Sequence, residues 1–326
     1  TPPIYSPETI SFITTKQKFI MEKKVKCFQF LILITFIVFF NSGNIYAQKQ
    51  ITTVFPKDGA SNVNVGILKW SAQEGMKYDL YFGLSANPSL YKSDLDTMEV
   101  KPVILELNKK YYWKIVEKKN GKVIRTSKIF AFSTLPITLN TTLKYKSFVD
   151  LRDYKIYWTI TVNGKEWFVQ NLDYDLPNNS WYYDNSETNK VYGKLYSGQS
   201  LTTNLSDICP KGWHIPSQQE WTDLINTFGG LKVAGAALKE TTDLYWRNSK
   251  YDRTNSSGIT VLPAGSRDTK PSFSNLNKYT SFWTSTPNPK VRNSFSTIDF
   301  GFMRDNVIVS DGDPGWSYSI RCVKDK

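Results

Sequence analysis

The chain has 326 residues and a formal net charge of +12. The positive charge is spread out without a basic block, which argues against nucleic-acid binding. The one histidine and three cysteines are not clustered in the sequence, which excludes an ordinary zinc site, and we expect no cofactor. Aromatic residues make up 15% of the chain, which is typical of β-rich exported domains and of proteins that bind ligands by stacking.

Residues 21–47 have the pattern of a secretory signal peptide, with lysines near the start and an apolar run over residues 28–40. A membrane-spanning helix needs about 20 residues, and this apolar run is shorter. We therefore expect cleavage after Ala47, no transmembrane segment in the mature chain, and a location in the periplasm, at the cell surface or outside a bacterial cell. A membrane anchor built from the run is the alternative. Residues 1–20 are interpreted as upstream sequence from a misplaced start, without structure.

Residues 50–136 contain short segments in which apolar and polar residues alternate, as in "LKW", "YDLYFG" and "KYYWKIV". This period is typical of β-strands with one buried face. Asn120-Gly121 separates the last segment from "KVIRT" and predicts a hairpin, because both residues tolerate positive φ. Short strands at this spacing favour a β-sandwich.

The same region resembles fibronectin type III-like domains, through "FPKDGASNV", the tryptophan of "LKW", "LNKKYYWKI" and the closing "FST". The resemblance implies an immunoglobulin-like, fibronectin III-like β-sandwich in which Tyr111 is the corner tyrosine. Such domains are mostly spacers or docking units. Residues 137–147 are predicted to be a short extended linker, and residues 148–326 a second domain.

The second domain is predicted to mix strands and helices. Asn163-Gly164 predicts a hairpin near its start. Ser217 followed by Glu220 forms a capping box that starts an amphipathic helix, which Gly229-Gly230 ends. A short helix is expected at residues 233–241, and strands and turns follow from residue 259 onward.

Cys209 and His214 lie close enough in sequence to suggest a nucleophile and a base. No signature of a cysteine peptidase surrounds them, however, and an exported thiol would be oxidised unless it were protected. Cys209 and Cys322 are the two cysteines left after signal removal, so a disulfide between them is the prediction. His214 is then expected to be packed and hydrogen-bonded beside a helix cap.

Six motifs in order carry a second resemblance: "WTITVNGKEWFVQNLDY", "ICPKGWHIPSQQEWTDL", "AGAALKE", "SSGITVLPAGSRD", "SFWTST" and "YSIRCVKD". Together they are similar to the Fibrobacter succinogenes major paralogous domain, a family common in exported and cell-surface proteins. The layout also resembles the C-type lectin-like group, which implies an α+β domain. The calcium motifs of sugar-binding lectins are missing. The related formylglycine-generating enzymes need an active-site cysteine pair, and with only Cys209 and Cys322 left, nothing supports their oxidation chemistry here. The fold class expected is therefore a β-rich multidomain protein, in which a fibronectin III-like sandwich precedes an α+β C-type lectin-like domain.

Aromatic side chains in polar loops are the strongest candidates for ligand binding, because a flat ring beside polar groups suits a sugar. The candidates are Trp181, Tyr182, Tyr183, Trp246, Arg247 and Trp316. The alternative is that these rings fill the core of a loop-rich domain.

Carboxylates offer two weaker hypotheses. Asp305, Asp311 and Asp313 are weak calcium candidates, since calcium needs several oxygen ligands. Pairs such as Asp173 with Asp175, or Asp299 with Asp305, have the residue type that glycoside hydrolysis needs, but their spacing does not single them out.

The function expected from the sequence is that of an exported, non-catalytic binding protein. It would recognise an extracellular glycan or a cell-surface protein through aromatic-rich loops of the second domain. A polysaccharide-active hydrolase and a structural pilus or envelope component are the alternatives.

Overall fold

The computed structural model describes Met21 and residues 50–71, 73, 75–247 and 251–326. Apart from Met21, the predicted upstream segment and signal peptide lie outside the described residues. Ile51–Lys326 form one compact unit. In the part of the chain that the structure describes, no helix combines the length and the apolar character needed to cross a membrane.

The first part of this unit is built from strands in two sheets. The strands are β1 (Thr53–Phe55), β2 (Ala60–Val63), β3 (Leu68–Trp70), β4 (Lys77–Gly83), β5 (Leu90–Leu95), β6 (Glu99–Val100), β7 (Lys110–Lys119), β8 (Lys122–Thr126) and β9 (Phe130–Thr134). One sheet has the order β1-β3-β6, and the other has the order β2-β9-β7-β4-β5, with β8 paired to β7.

Apolar residues alternate with polar ones along these strands, as predicted, so one face of each sheet is buried. Trp70 of β3, Leu80 of β4 and Trp113 of β7 belong to one apolar core that joins the two sheets. Asn120 and Gly121 have φ values of 50° and 75°, which confirms the predicted hairpin between β7 and β8.

The second part contains both strands and short helices. Its strands are β10 (Lys146–Asp150), β11 (Lys155–Val162), β12 (Lys165–Phe168), β13 (Ser180–Trp181), β14 (Leu195–Ser197), β15 (Trp213–His214), β16 (Ala264–Arg267), β17 (Phe273–Leu276), β18 (Tyr279–Pro287), β19 (Phe295–Gly301), β20 (Ile308–Asp311), β21 (Ser317–Ser319) and β22 (Val323–Lys324). The helices are α1 (Gly198–Asn204), α2 (Gln218–Thr227) and α3 (Ala234–Leu238), with 3-10 turns at Tyr183–Asn185 and Glu187–Tyr192.

Two sheets organise this part. The smaller has the order β10-β11-β12-β22-β15, and the larger follows the path β13-β14-β21-β16-β18-β19-β20, with β17 on β16. β11 and β12 form the hairpin predicted at Asn163-Gly164. The β-rich fold class expected from the sequence is confirmed at this level.

Helix α2 begins with the predicted capping box. The Ser217 hydroxyl accepts from the backbone N–H of Glu220, and the Glu220 carboxylate accepts from the backbone N–H of Ser217. The buried ring of Trp221 packs against Phe282 of β18 and Phe300 of β19, with ring centroids 5.2 and 6.4 Å away. The helix is thereby fixed on the larger sheet.

The two parts share backbone and side-chain contacts. The N–H of Ile156 donates to the carbonyl of Asn64, and the Asn64 amide donates to the Asp173 carboxylate at 2.8 Å. The segment predicted as a linker, residues 137–147, is packed: Ile137 is buried in the core of the second part, and Tyr145 packs against that core. The first and second parts are therefore in direct contact, and residues of the predicted linker pack against the core of the second part.

The last segment of the chain crosses from one sheet to the other. β21 belongs to the larger sheet and β22 to the smaller, and residues 320–322 connect them. Cys322 is bonded to Cys209, as predicted, in a disulfide that joins residues 113 positions apart. Both cysteines are buried.

Arg321 is fully buried at this crossing. Its guanidinium donates to the carbonyls of Phe168, Val169 and Ile259 and to the side-chain oxygen of Asn171. Burial lowers the pKa of Arg321 to about 9, so the side chain stays charged at neutral pH. The single cation therefore links three backbone segments that are far apart in sequence.

Removing the disulfide should destabilise the fold. Because the bond closes a loop of 113 residues, we expect the double variant Cys209→Ala/Cys322→Ala to lose about 4 kcal/mol of unfolding free energy. Urea denaturation of the oxidised wild type and the variant measures this loss. A reductant should lower the midpoint of the wild type and leave the variant unchanged; equal midpoints for wild type and variant under oxidising conditions would contradict the prediction.

Replacing Arg321 should be more damaging than replacing a surface arginine. Arg321→Leu leaves four buried acceptors without their donor, and because each unsatisfied acceptor costs about 1–3 kcal/mol, we expect a loss of at least about 4 kcal/mol. The exposed Arg292→Leu is the matched control and should change stability by less than about 0.5 kcal/mol. Chemical denaturation of both variants with the disulfide intact checks this, and similar losses for the two would refute the role of Arg321.

Candidate functional site

The single histidine, His214, is hydrogen-bonded to two carboxylates. His214 Nδ1 lies 2.7 Å from Asp325 Oδ1, and Nε2 lies 3.1 Å from Glu220 Oε2. Lys165 pairs with the other Glu220 oxygen at 2.8 Å. His214 is hydrogen-bonded as predicted but not fully packed, since 39% of its side chain is exposed.

The electrostatics of the cluster favour an ion network. The hydrogen bond to Glu220 raises the pKa of His214, burial opposes this, and the bond to Asp325 raises it further. Burial disfavours ionisation of Glu220, but hydrogen bonds from His214 and Lys165 outweigh it and hold the pKa of its carboxyl well below the usual range. Cys209 is committed to the disulfide. The candidate nucleophile is therefore used in the disulfide, and His214 with Glu220 joins the start of α2 to β12 and to the chain end.

Two of the predicted aromatic candidates lie in the core. Trp246 is fully buried and donates its indole N–H to the carbonyl of Val261. Tyr183 is 9% exposed and packs against Phe273. Arg247, which follows Trp246 in the chain, is exposed. The structure therefore does not bring these three residues into a common binding surface.

Trp181 and Tyr182 are half-buried, and cations cover their rings. The Arg267 guanidinium lies 3.9 Å from the Trp181 ring centroid, and the Lys194 ammonium lies 4.5 Å from that of Tyr182. Burial raises the pKa of Tyr182 well above its ordinary value, and the negative charge of Asp173 adds to the shift. In this arrangement a cation already covers one face of each ring.

Trp316 is the predicted candidate that lies in an open cleft. We call this cleft, with a volume of about 300 Å³, the Trp316 cleft. It is lined by Gly265, Ser266, Asn275, Tyr279, Thr280, Ser281, Asp299, Phe300, Arg304, Trp316 and Tyr318.

One face of the larger sheet forms the floor of the Trp316 cleft. Ser281 of β18 is paired with Asp299 of β19, and Tyr279 with Gly301, so their side-chain positions share a face. β21 runs beside β18, and its Tyr318 stacks with Trp316 at a centroid distance of 6.2 Å. The floor therefore carries aromatic rings at both ends and polar side chains between them.

The polar groups of the cleft are only partly used by the protein. Asp299 Oδ2 accepts from the Ser310 hydroxyl at 2.5 Å, whereas its Oδ1 has no hydrogen-bond partner among the described residues. Arg304 lies over the Tyr279 ring, 5.7 Å from its centroid, and its Nε likewise lacks a partner there. The Asp299 carboxylate and the Arg304 guanidinium thus lie beside the aromatic rings, and each has one buried polar atom without a partner in the described residues.

Tyr318 adds a neutral hydroxyl to the cleft. Burial raises the pKa of its phenol well above the ordinary value, and the charges of Asp299 and Asp313 raise it further. The phenol therefore stays protonated throughout the physiological pH range.

Sequence reasoning did not select Tyr279, Arg304 or Tyr318. Tyr318 could have been found from the "WSY" alternation, which places it on the same strand face as Trp316. Arg304 and Tyr279 are brought together by the pairing of β18 with β19, for which the local sequence carries no signal.

Two other clefts have a different character. One of about 450 Å³ lies between the β11–β12 hairpin and α2, and its main charged groups already have partners: Lys165 pairs with Glu220, and Asp223 accepts from Gln219. Another, of about 400 Å³, lies where residues 106–109 meet residues 137–145. Neither combines stacked aromatic rings with unused polar atoms as the Trp316 cleft does.

The weak calcium candidates are held by different partners. Asp305 lies 3.9 Å from the buried Lys239 ammonium, Asp311 pairs with Lys290, and Asp313 accepts from the backbone N–H of Gly315. Within the described residues, no group of three or more His, Cys, Asp or Glu side chains is arranged to hold a metal ion.

The His214 network should make stability depend on pH. Because the folded state raises the pKa of His214 above 6.5, its stabilising effect is fully present below that pH and is lost as the pH rises through the raised pKa. We expect the difference in unfolding free energy between wild type and His214→Gln to be larger near pH 6 than near pH 9. Urea denaturation across this range measures it. Asp325→Asn, which weakens one partner, should flatten the dependence, and a pH-independent difference would count against the network.

The comparison with known families agrees with the motifs that build this domain. A family model described as the Fibrobacter succinogenes major domain matches residues 160–324. No curated protein matches the chain. The matched segment spans half of the chain and holds the disulfide, Arg321 and the Trp316 cleft, so this protein belongs to the Fibrobacter succinogenes major domain family.

Proposed function

We propose that the protein is an exported, non-catalytic binding protein that recognises a glycan in the Trp316 cleft. The observation that carries the proposal is the Trp316–Tyr318 ring pair in an open cleft that polar side chains such as Ser281, Asp299 and Arg304 also line. The C–H groups on one face of a sugar ring pack on aromatic rings, while its hydroxyls hydrogen-bond to side chains around it. Small-molecule sites commonly combine an apolar surface with a few such polar groups.

The carboxylate content of the cleft supports binding over hydrolysis. Glycoside hydrolysis ordinarily needs two carboxyl groups that flank the scissile bond. Asp299 is the one carboxylate among the residues that line the Trp316 cleft, and its side chain is already held by Ser310. We therefore favour recognition without turnover.

The domain organisation that we propose is a fibronectin III-like spacer that carries a C-type lectin-like domain. The hydroxyl of Tyr111 accepts a hydrogen bond from the backbone N–H of Glu106 at 2.9 Å, which supports its role as a corner tyrosine. Close to the chain end, β22 pairs with β12, so the last strand returns to the early hairpin of the second domain, as the lectin-like layout implies. The signal-peptide pattern supports export.

Replacing Trp316 tests the proposed site. We expect Trp316→Ala to weaken glycan binding at least about tenfold, because the ring supplies stacking area that no neighbouring side chain replaces. A glycan array followed by titration calorimetry with the best glycan measures the effect.

Two variants make this experiment specific. Tyr91→Ala removes an exposed aromatic side chain from the first part and should leave binding unchanged. Trp181→Ala tests the other predicted tryptophan, and a larger loss there than at Trp316 would move the site to β13. Wild-type protein that binds no glycan on the array would overturn the proposal.

A further inference from the structure

The outer side of the β2-β9-β7-β4-β5 sheet in the first part carries lysines and tyrosines at neighbouring positions. Leu80 of β4 and Trp113 of β7 point into the core, so the residues that alternate with them face outward. The outward positions near one end of the sheet are Tyr81 and Gly83 of β4, Lys110, Tyr112 and Lys114 of β7, and Ala131 of β9, and we call them the Lys110 face.

The two lysines of the Lys110 face carry charge that the described residues do not neutralise. The Lys114 ammonium lies over the Tyr81 ring, 4.6 Å from its centroid, and is not paired with a carboxylate in the described part of the chain. The same holds for Lys110, whose ammonium lies 5.4 Å from the centroid of the Tyr112 ring. Lys118, farther along the same side of β7, differs because two aspartates pair with it at 2.8 and 2.7 Å. The Lys110 face therefore presents two positive charges whose backbone positions are about 13 Å apart along the strand.

Tyr112 lies between the two lysines and has space on both sides. Its cross-strand neighbours are Gly83 and Ala131, so neither flank carries a large side chain. A Cβ added at Gly83 would meet no atom within 4 Å, which shows that the surface beside the ring is open. Tyr112 itself is half-buried. A sugar ring can therefore pack beside this tyrosine while charged groups attached to it reach the ammonium groups.

The charge and the relief of the Lys110 face define the chemical class of its partner. Cations without acidic neighbours attract anions, and a polymer with anionic groups along its chain can pair with both lysines at once. A bilayer of anionic lipids is also negatively charged, but binding to it gains from apolar side chains that enter the acyl region. The side chains between the two lysines belong to a tyrosine, a glycine and an alanine, and they offer little apolar area for insertion. The face therefore suits a polymer better than a lipid surface.

We propose that the Lys110 face binds an acidic polysaccharide, one that carries carboxylate or sulfate groups along its chain. The anionic groups pair with Lys110 and Lys114, and a sugar ring between them contacts Tyr112. This surface belongs to the first part of the molecule, so the proposal goes beyond the Trp316 cleft and does not depend on it. The first part is then a binding unit in its own right and not only a spacer.

The test measures binding of the purified chain to immobilised polysaccharides by biolayer interferometry. Polygalacturonate and its methyl ester form one acidic and neutral pair, and dextran sulfate and dextran form the other. We expect the wild type to bind at least one acidic polysaccharide at least about tenfold more tightly than its neutral match at about 0.05 M NaCl. At about 0.5 M NaCl most of this difference should disappear, because salt screens exposed charges.

Three variants locate the binding surface. Lys110→Gln/Lys114→Gln removes both charges and should weaken binding to the acidic polysaccharide at least about tenfold. Lys211→Gln/Lys232→Gln removes two exposed lysines of the second part and is the matched control, with an expected change of less than about threefold. Tyr112→Ala should weaken binding about threefold or more, because it removes the ring contact. Thermal melting of each variant reports on folding, and the single lysine variants replace the double variant if it does not fold.

The outcomes separate this surface from the Trp316 cleft. Equal losses for the two double variants would overturn the location, and unchanged affinity of Tyr112→Ala would overturn the sugar contact. Binding to neither acidic polysaccharide would overturn the proposal, as would tighter binding to phosphatidylglycerol-containing vesicles or to double-stranded DNA. Trp316→Ala should leave binding to the acidic polysaccharide unchanged. If Trp316→Ala abolishes this binding and the lysine variant does not, the Lys110 face is not the site and the proposed glycan cleft stands.

Discussion

The second part of this protein depends on a buried cation at the point where the chain passes from one sheet to the other. Arg321 lies between β21 and β22 and donates to the backbone of Phe168, Val169 and Ile259. No carboxylate neutralises it in the described residues around it, so carbonyl dipoles and the Asn171 amide replace the lost hydration. A buried charge without such partners would be expensive, which means that these segments must stay in place for the side chain to be accommodated. The disulfide at Cys322 adds a covalent tie to Cys209 beside it.

The Trp316 cleft is a consequence of the same crossing. β21 ends two residues before Arg321, and its position beside β18 brings Trp316 and Tyr318 into one cleft with Ser281 and Asp299. The rings and the polar side chains thus come from three strands that are separated in sequence. A rigid sheet positions them better than a loop would, because strand pairing fixes both register and facing direction. This favours a preformed site.

The residues that suggested catalysis serve the scaffold. Cys209 is oxidised, and Glu220 accepts from Ser217, Lys165 and His214 at once. A carboxylate with this many donors is a poor base, because hydrogen bonds to the charged form hold its pKa down. The network explains why a cysteine, a histidine and a glutamate lie so close together without forming a catalytic set. It joins α2 to the β11–β12 hairpin and to the chain end.

Local patterns in the sequence determined much of the fold. The strand alternation, the Asn120-Gly121 and Asn163-Gly164 hairpins, the capping box at Ser217 and the disulfide follow from residue types whose effects act over a few positions or, for the cysteines, from their number. The candidate site could not be predicted in the same way. Trp181, Trp246 and Trp316 look alike in sequence, yet one is covered by Arg267, one is buried, and one lines a cleft. Burial depends on which strands pair, and the partners of Trp316 become its neighbours only when β18, β19 and β21 assemble into one sheet. Tertiary structure alone decided which aromatic ring lines an open cleft, because strand pairing brings together residues that the local sequence leaves far apart.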